Sequence, residues 1–88
     1  RSGIMEALAS ARSLLRDVLM RLQGVPAPAM NGDVEDIIDR LCSAATVTGA
    51  TAALDAVASA ERCITRNVTP QLAIEVMLFD IRKALTCP

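Results

Sequence analysis

Apolar residues recur at spacings of three and four in four separate stretches of this chain, and polar or turn-forming residues separate them. That spacing is the signature of amphipathic helices. In the first stretch Ile4, Leu8, Ala11, Leu15, Val18, Leu19 and Leu22 form one stripe, which predicts a helix over 3–23. Asp17 and Arg21, one turn apart, form an expected surface pair. Gly24 supplies a helix stop, with Val25 and Pro26 just beyond it. The segment "GVPAPAMNG" then reads as linker, since two prolines and Gly32 interrupt regular structure. A second helix is predicted over 33–46. Its stripe is Val34, Ile37, Ile38, Leu41, Cys42 and Ala45, and Asp33 or Asn31 is its expected cap. The third helix is predicted over 49–66 with Thr48 as cap. Ala50, Ala53, Leu54, Val57, Ala60 and Ile64 form its inner face, and Asp55, Ser59, Arg62 and Arg66 its outer side.

The joint "RNVTPQLAIE" is the most informative stretch. Asn67 suits the left-handed residue that ends a helix, and Val68 can fold back on the last turn. Thr69 can cap the next helix, with Pro70 at its first position, where a missing N–H costs nothing. Stop, turn and start are thus expected within three residues, joining the third helix to a fourth over 70–85. That last helix is apolar on two sides. Ala73, Ile74, Met77, Leu78, Ile81, Ala84 and Leu85 fill a broad arc, and Leu72, Val76 and Phe79 fill a second. Gln71, Glu75 and Arg82 leave only a narrow polar strip. Helices apolar on most sides are buried on most sides. Three neighbouring helices can cover one arc, so the candidate partner interface is Leu72, Val76, Phe79, Leu78, Ile81 and Leu85.

Composition supports an all-α reading. Hydrophobic residues make up 52%, alanine alone contributes 15 positions, and Phe79 is the single aromatic. The 88 residues suit one domain, a compact bundle of four helices spanning 1–88. The chain opens "RSGIME" without an initiator Met and is expected to be a C-terminal piece of a longer multidomain subunit. A net charge of −1 gives no bulk attraction to nucleic acid or anionic membrane. No apolar run reaches the roughly 20 residues of a bilayer span. The reading is of a cytoplasmic protein whose Cys42, Cys63 and Cys87 stay reduced.

Reaction chemistry is not legible. With no His, the usual Ser or Cys triads and dyads are excluded, and three cysteines cannot close a four-ligand zinc site. No phosphate-binding loop occurs. The acidic cluster Asp33, Glu35, Asp36 and Asp39 reads as helix-start charge on a solvated face. The last two helices could in principle form a helix-turn-helix. The fourth, however, offers Gln71, Glu75 and hydrophobes where a recognition helix offers polar and basic groups. The expectation is therefore of a non-catalytic fragment with no cofactor, no metal, no small-molecule substrate and no direct nucleic-acid contact.

The residues "RDVLMRLQG", "MNGD" and above all "ERCITRNVTPQLAIEVMLFDI" resemble the C-terminal collar domain of bacterial DNA polymerase III clamp-loader subunits. The delta-prime form is the nearest, with gamma/tau as a near relative. The resemblance covers roughly residues 11 to 85. It implies an oligomerisation domain that holds the loader pentamer together for sliding-clamp loading in DNA replication, with the delta and gamma/tau subunits as partners. Asn67, Pro70, Leu72 and Glu75 match the family's joint, and the implied role of the joint Asn67, Val68, Thr69, Pro70 and Glu75 is architectural. Thr69 departs from the Asn or other small residue often found there. The linker at 24–32 carries no family signature, which leaves the register of the second helix open. The alternatives are a gamma/tau collar, whose joint usually reads Ser-rich before the Pro, or an unrelated helical adaptor or homodimer module.

Overall fold

The computed structural model describes residues 2–25 and 35–86. Four helices follow one another: α1 (Ser2–Leu22), α2 (Glu35–Ala44), α3 (Val47–Thr65) and α4 (Pro70–Thr86). Among the described residues there is no strand, and the fold is an all-α four-helix bundle. The expected elements and their order are all present.

Helix α3 lies between α1 and α4 and packs against both, while α2 crosses beside α1 and reaches α4. Periodicity explains this central place. Ala50, Ala53, Ala56, Val57, Ala60 and Ile64 are buried along α3, and most of them are small enough to let two neighbours approach at once. The main core joins them to Leu8 and Leu15 of α1 and to Ala73 and Met77 of α4. A second, smaller cluster holds Val18, Ile38 and Ala50 together where α1, α2 and α3 meet. The molecule measures 38 × 27 × 17 Å. Its thinnest dimension is less than two helix diameters of about 10–12 Å each. Helix α3 is covered on both flanks, whereas α4, packed on α3, leaves Leu72, Val76 and Phe79 exposed.

Two helix ends use the same stop. At the end of α1 the amide of Gly24 donates to the Arg21 carbonyl and that of Val25 to the Met20 carbonyl, at 3.0 Å each. Gly24 has φ of 71°. At the end of α3 the amide of Asn67 donates to the Ile64 carbonyl at 3.1 Å and that of Val68 to the Cys63 carbonyl at 2.9 Å. Asn67 has φ of 67°. Both are Schellman motifs, which satisfy carbonyls that the helix leaves free. The expected stop at Asn67, with Val68 folding back, is what the chain does.

Three expectations need correction. Helix α3 is capped by Thr46, not Thr48: its hydroxyl oxygen accepts from the Gly49 amide at 3.0 Å, and the helix starts two residues earlier than expected. The earlier start sets Gly49 in the first turn against the Ala84 carbonyl of α4, a contact that needs a residue without a side chain. Helix α2 correspondingly ends at Ala44, and α2 and α3 meet at 119°. In α2, Ile38 is buried as expected but Ile37 is exposed, because the thin body covers only a narrow strip of that helix. Arg21 also reaches across to α2, donating to Glu35 at 2.7 Å and Asp39 at 2.6 Å. The expected caps Asn31 and Asp33, the stripe residue Val34, and Cys87 lie outside the described residues.

Candidate protein-docking face

The last helix starts where the joint aims it. Thr69 stands at the cap position, and its carbonyl accepts the Ala73 amide at 3.1 Å. The side-chain cap expected of Thr69 is not formed; the residue is exposed and only its backbone serves the helix. Pro70 begins the helix. Near its other end the α4 backbone at Ala84 meets Gly49. These two points fix α4 antiparallel to α3 and decide which of its faces turns inward.

The inward face carries Ala73 and Met77, both buried, with Ile74, Ile81, Ala84 and Leu85 packed against the same core. Two of the six expected interface residues, Ile81 and Leu85, thus belong to the chain's own core. The reason is angular. At roughly 100° per residue they fall on the same side as Ala73 and Met77. The other four face outward: Leu72 is 54% exposed, Val76 52%, Leu78 56% and Phe79 66%. These do not form one patch. Leu72, Val76 and Phe79 lie within about 60° of one another around the helix, while Leu78 is about 100° away from Phe79. Between them runs the polar strip, where Gln71 donates to the Glu75 carboxylate at 3.3 Å.

Beside the Leu72–Val76–Phe79 ridge runs a groove between α3 and α4, on the side away from α1. Its longer part, about 990 Å³, is walled by Ala52, Asp55 and Ser59 of α3 and by Asp80 and Lys83 of α4. A narrower end of about 220 Å³ is formed by Ala60, Cys63, Val68, Leu72 and Val76. Ala56, Ser59 and Asp80 border both. The α3 side of this groove is a row of small residues, Ala52, Ala56, Ser59 and Cys63, spaced four, three and four apart. Sequence reasoning placed the alanines of α3 against a neighbour but did not identify this second small row. The signal was present in its spacing, masked by the stronger inner stripe one position over.

Ion pairs join the helices elsewhere. Arg12 of α1 pairs with Glu61 of α3 at 2.5 Å. Arg21, held between Glu35 and Asp39, has its pKa raised, chiefly by the hydrogen bond to Glu35. Burial pushes the Cys42 thiol above its ordinary range, and Asp39 adds to this while Arg21 opposes it. Its Sγ lies 3.7 Å from the Val18 carbonyl, a small apolar filler at the α1–α2 contact. Cys42 and Cys63 are both free thiols. Among the described residues no group of His, Cys, Asp and Glu is gathered as a metal site, and no single helix is long and apolar enough to cross a membrane. Arg16 of α1, Arg62 of α3 and Arg66 just past the end of α3 are exposed. Comparison with known proteins returns no match, whether with family models, curated proteins or solved structures.

Proposed function

We infer that this chain is a non-catalytic oligomerisation domain that binds other protein subunits through the outer face of α4. The observation that carries the reading is the ridge of Leu72, Val76 and Phe79, each more than half exposed on one side of a helix whose opposite side is core. Each large apolar side chain gains roughly 1.5–3 kcal/mol when buried. A cluster of three beside a groove marks an interaction surface more than scattered apolar residues do.

Partner identity rests on the sequence likeness of the α3–α4 joint. On that likeness the domain is a collar of the delta-prime type and its partners are the delta and gamma/tau subunits of a DNA polymerase III clamp loader. The Schellman stop at Asn67 followed by Pro70 is consistent with the architectural role given to that joint. A rigid, short connection would hold the α4 ridge at a set angle to the rest of the bundle.

The test is co-elution. At about micromolar concentrations the chain is expected to co-elute with a mixture of delta and gamma/tau subunits, and a Leu72→Asp, Phe79→Glu variant is expected to elute alone. Elution apart from those subunits by the unsubstituted chain removes the clamp-loader assignment. Unchanged co-elution of the double variant removes the α4 face.

A further inference from the structure

We propose that the α3–α4 groove receives an amphipathic helix of a partner subunit, one that carries a basic side chain flanked by two acidic ones. This rests on the reading of the outer face of α4 as a protein-docking surface, and it states the chemistry that a partner must offer there. Over most of its length the groove is walled by helix interior, including Ala52, Ala56 and Ser59 of α3 and Asp80 of α4. Backbone amides and carbonyls inside a helix are already bonded to one another. An extended segment laid along these walls would find no free edge to pair with, and its own backbone groups would lose water without return. A helix satisfies its backbone internally. Its side chains can pack on Ala52, Ala56 and Ala84 and against the Leu72–Val76–Phe79 ridge.

The charges along the groove have an order. Gly49 meets Ala84, and the two helices run antiparallel. Asp80, four residues before Ala84, therefore comes level with Ala53, four residues after Gly49. Asp55 is two residues further along α3, about 3 Å on. The two aspartates thus border the groove from opposite walls at nearly one level. Lys83 lies about 4–5 Å to one side of Asp80, and Arg62 lies about 10 Å beyond Asp55 on the other. Read along the groove, the order is plus, minus, minus, plus. All four residues are exposed, and none of them forms an ion pair among the described residues.

A helix seated in the groove takes water from Asp55 and Asp80. Drying two unpaired carboxylates is costly, and one Lys or Arg of the partner placed between them offsets the cost for both. An acidic side chain about one turn away on one side then reaches Lys83, and another about two turns away on the other side reaches Arg62. The two spacings are unequal, so they also fix the direction in which the partner helix runs. A partner of inverted pattern sets like charge against like at each place and is rejected. The four charges sum to zero, so the groove has no bulk attraction for a polyanion.

Fluorescence anisotropy is the test, with the full chain titrated into two labelled synthetic helices of about 18 residues, long enough to span the groove at about 1.5 Å per residue. The two share one leucine stripe and differ only at three positions, acidic–basic–acidic at the spacing above in one and the inverse in the other. The acidic–basic–acidic helix should bind about tenfold more tightly or better at about 50 mM salt, and the difference should shrink towards molar salt. An Asp55→Lys, Asp80→Lys variant should invert the preference, with helicity unchanged because both residues are exposed. Phe79→Ser should weaken both helices alike, since the ridge takes no part in the discrimination. Inversion of a preference is a result that misfolding cannot imitate. Equal binding of the two helices overturns the proposal, as does binding of neither. So does a preference that survives the double reversal. If any of these accompanies co-elution with delta and gamma/tau that the Leu72→Asp, Phe79→Glu variant abolishes, the docking face stands and only the stated partner chemistry is lost.

Discussion

Gly49 shows how much one missing side chain can decide. A Cβ built there would lie 2.5 Å from the Ala84 carbonyl oxygen and 3.2 Å from the Thr46 hydroxyl. The first neighbour is backbone of another helix and cannot turn aside. Gly49→Ala, which raises helix propensity by about 1 kcal/mol at an unencumbered site, is therefore expected to destabilise this chain by about 1–3 kcal/mol. Urea unfolding measures it, and a stabilised variant would show that α3 and α4 have room to part. None of this is visible in the sequence, where Gly49 follows Thr46, Val47 and Thr48 and reads as an ordinary helix start. The competition between Thr46 and Thr48 for the cap is settled by the same tertiary contact. Asn67 is the opposite case: its left-handed φ, the fold-back of Val68 and the start at Pro70 follow from neighbours in the chain, and they were legible for that reason. Cys42 gives a pH prediction. Its thiol is held above its ordinary range by burial, so the unfolded chain ionises at lower pH than the folded one. Its contribution to stability is full below the ordinary thiol pKa and is lost as pH rises through the raised one. Between about pH 7 and about pH 10 the unsubstituted chain should lose more stability than Cys42→Ala does. Parallel declines in paired urea titrations would refute this.

At the scale of elements, α4 is two helices in one. Its inner side is core and its outer ridge is not, and point substitutions should separate them. Met77→Ala removes a buried side chain and should cost about 2–5 kcal/mol. Phe79→Ser and Val76→Thr, on half-exposed positions, should change the stability of the monomer by about 0.5 kcal/mol or less. Thermal melts at low protein concentration make the comparison. Equal losses on both sides would mean that the ridge is packed within the chain after all. Periodicity could announce both arcs, because two apolar faces are written into the order of residues. It could not apportion Leu78, Ile81 and Leu85. These three differ only in where α3 lies around α4, and that angle is fixed by the Gly49–Ala84 approach at one end and the Asn67 stop at the other.

Across the whole molecule the four helices are unequally held, and the inequality has an order. Helix α3 buries seven residues between two neighbours. Helix α2 has ten residues and buries one of them, Ile38. A helix of that length is too short to persist by itself in water. What holds it is the small cluster of Ile38, Val18 and Ala50, together with the Arg21 guanidinium bridging Glu35 and Asp39. Those ion pairs are exposed and screened by salt, so each contributes little. Local opening free energy follows buried contact. Backbone amides of α2 should therefore exchange with deuterium first, at an opening free energy well below that of the whole chain. Those of α3 between Ala53 and Ile64 should exchange only on global unfolding. The Arg21→Ala substitution should hasten α2 exchange by a few-fold at low salt, leave α3 unchanged, and have less effect near molar salt. Equal protection of α2 and α3 would mean that the bundle opens as one unit. If the docking surface lies where α3 and α4 place it, loosening α2 should leave subunit binding intact, because neither the ridge nor the groove includes a residue of α2.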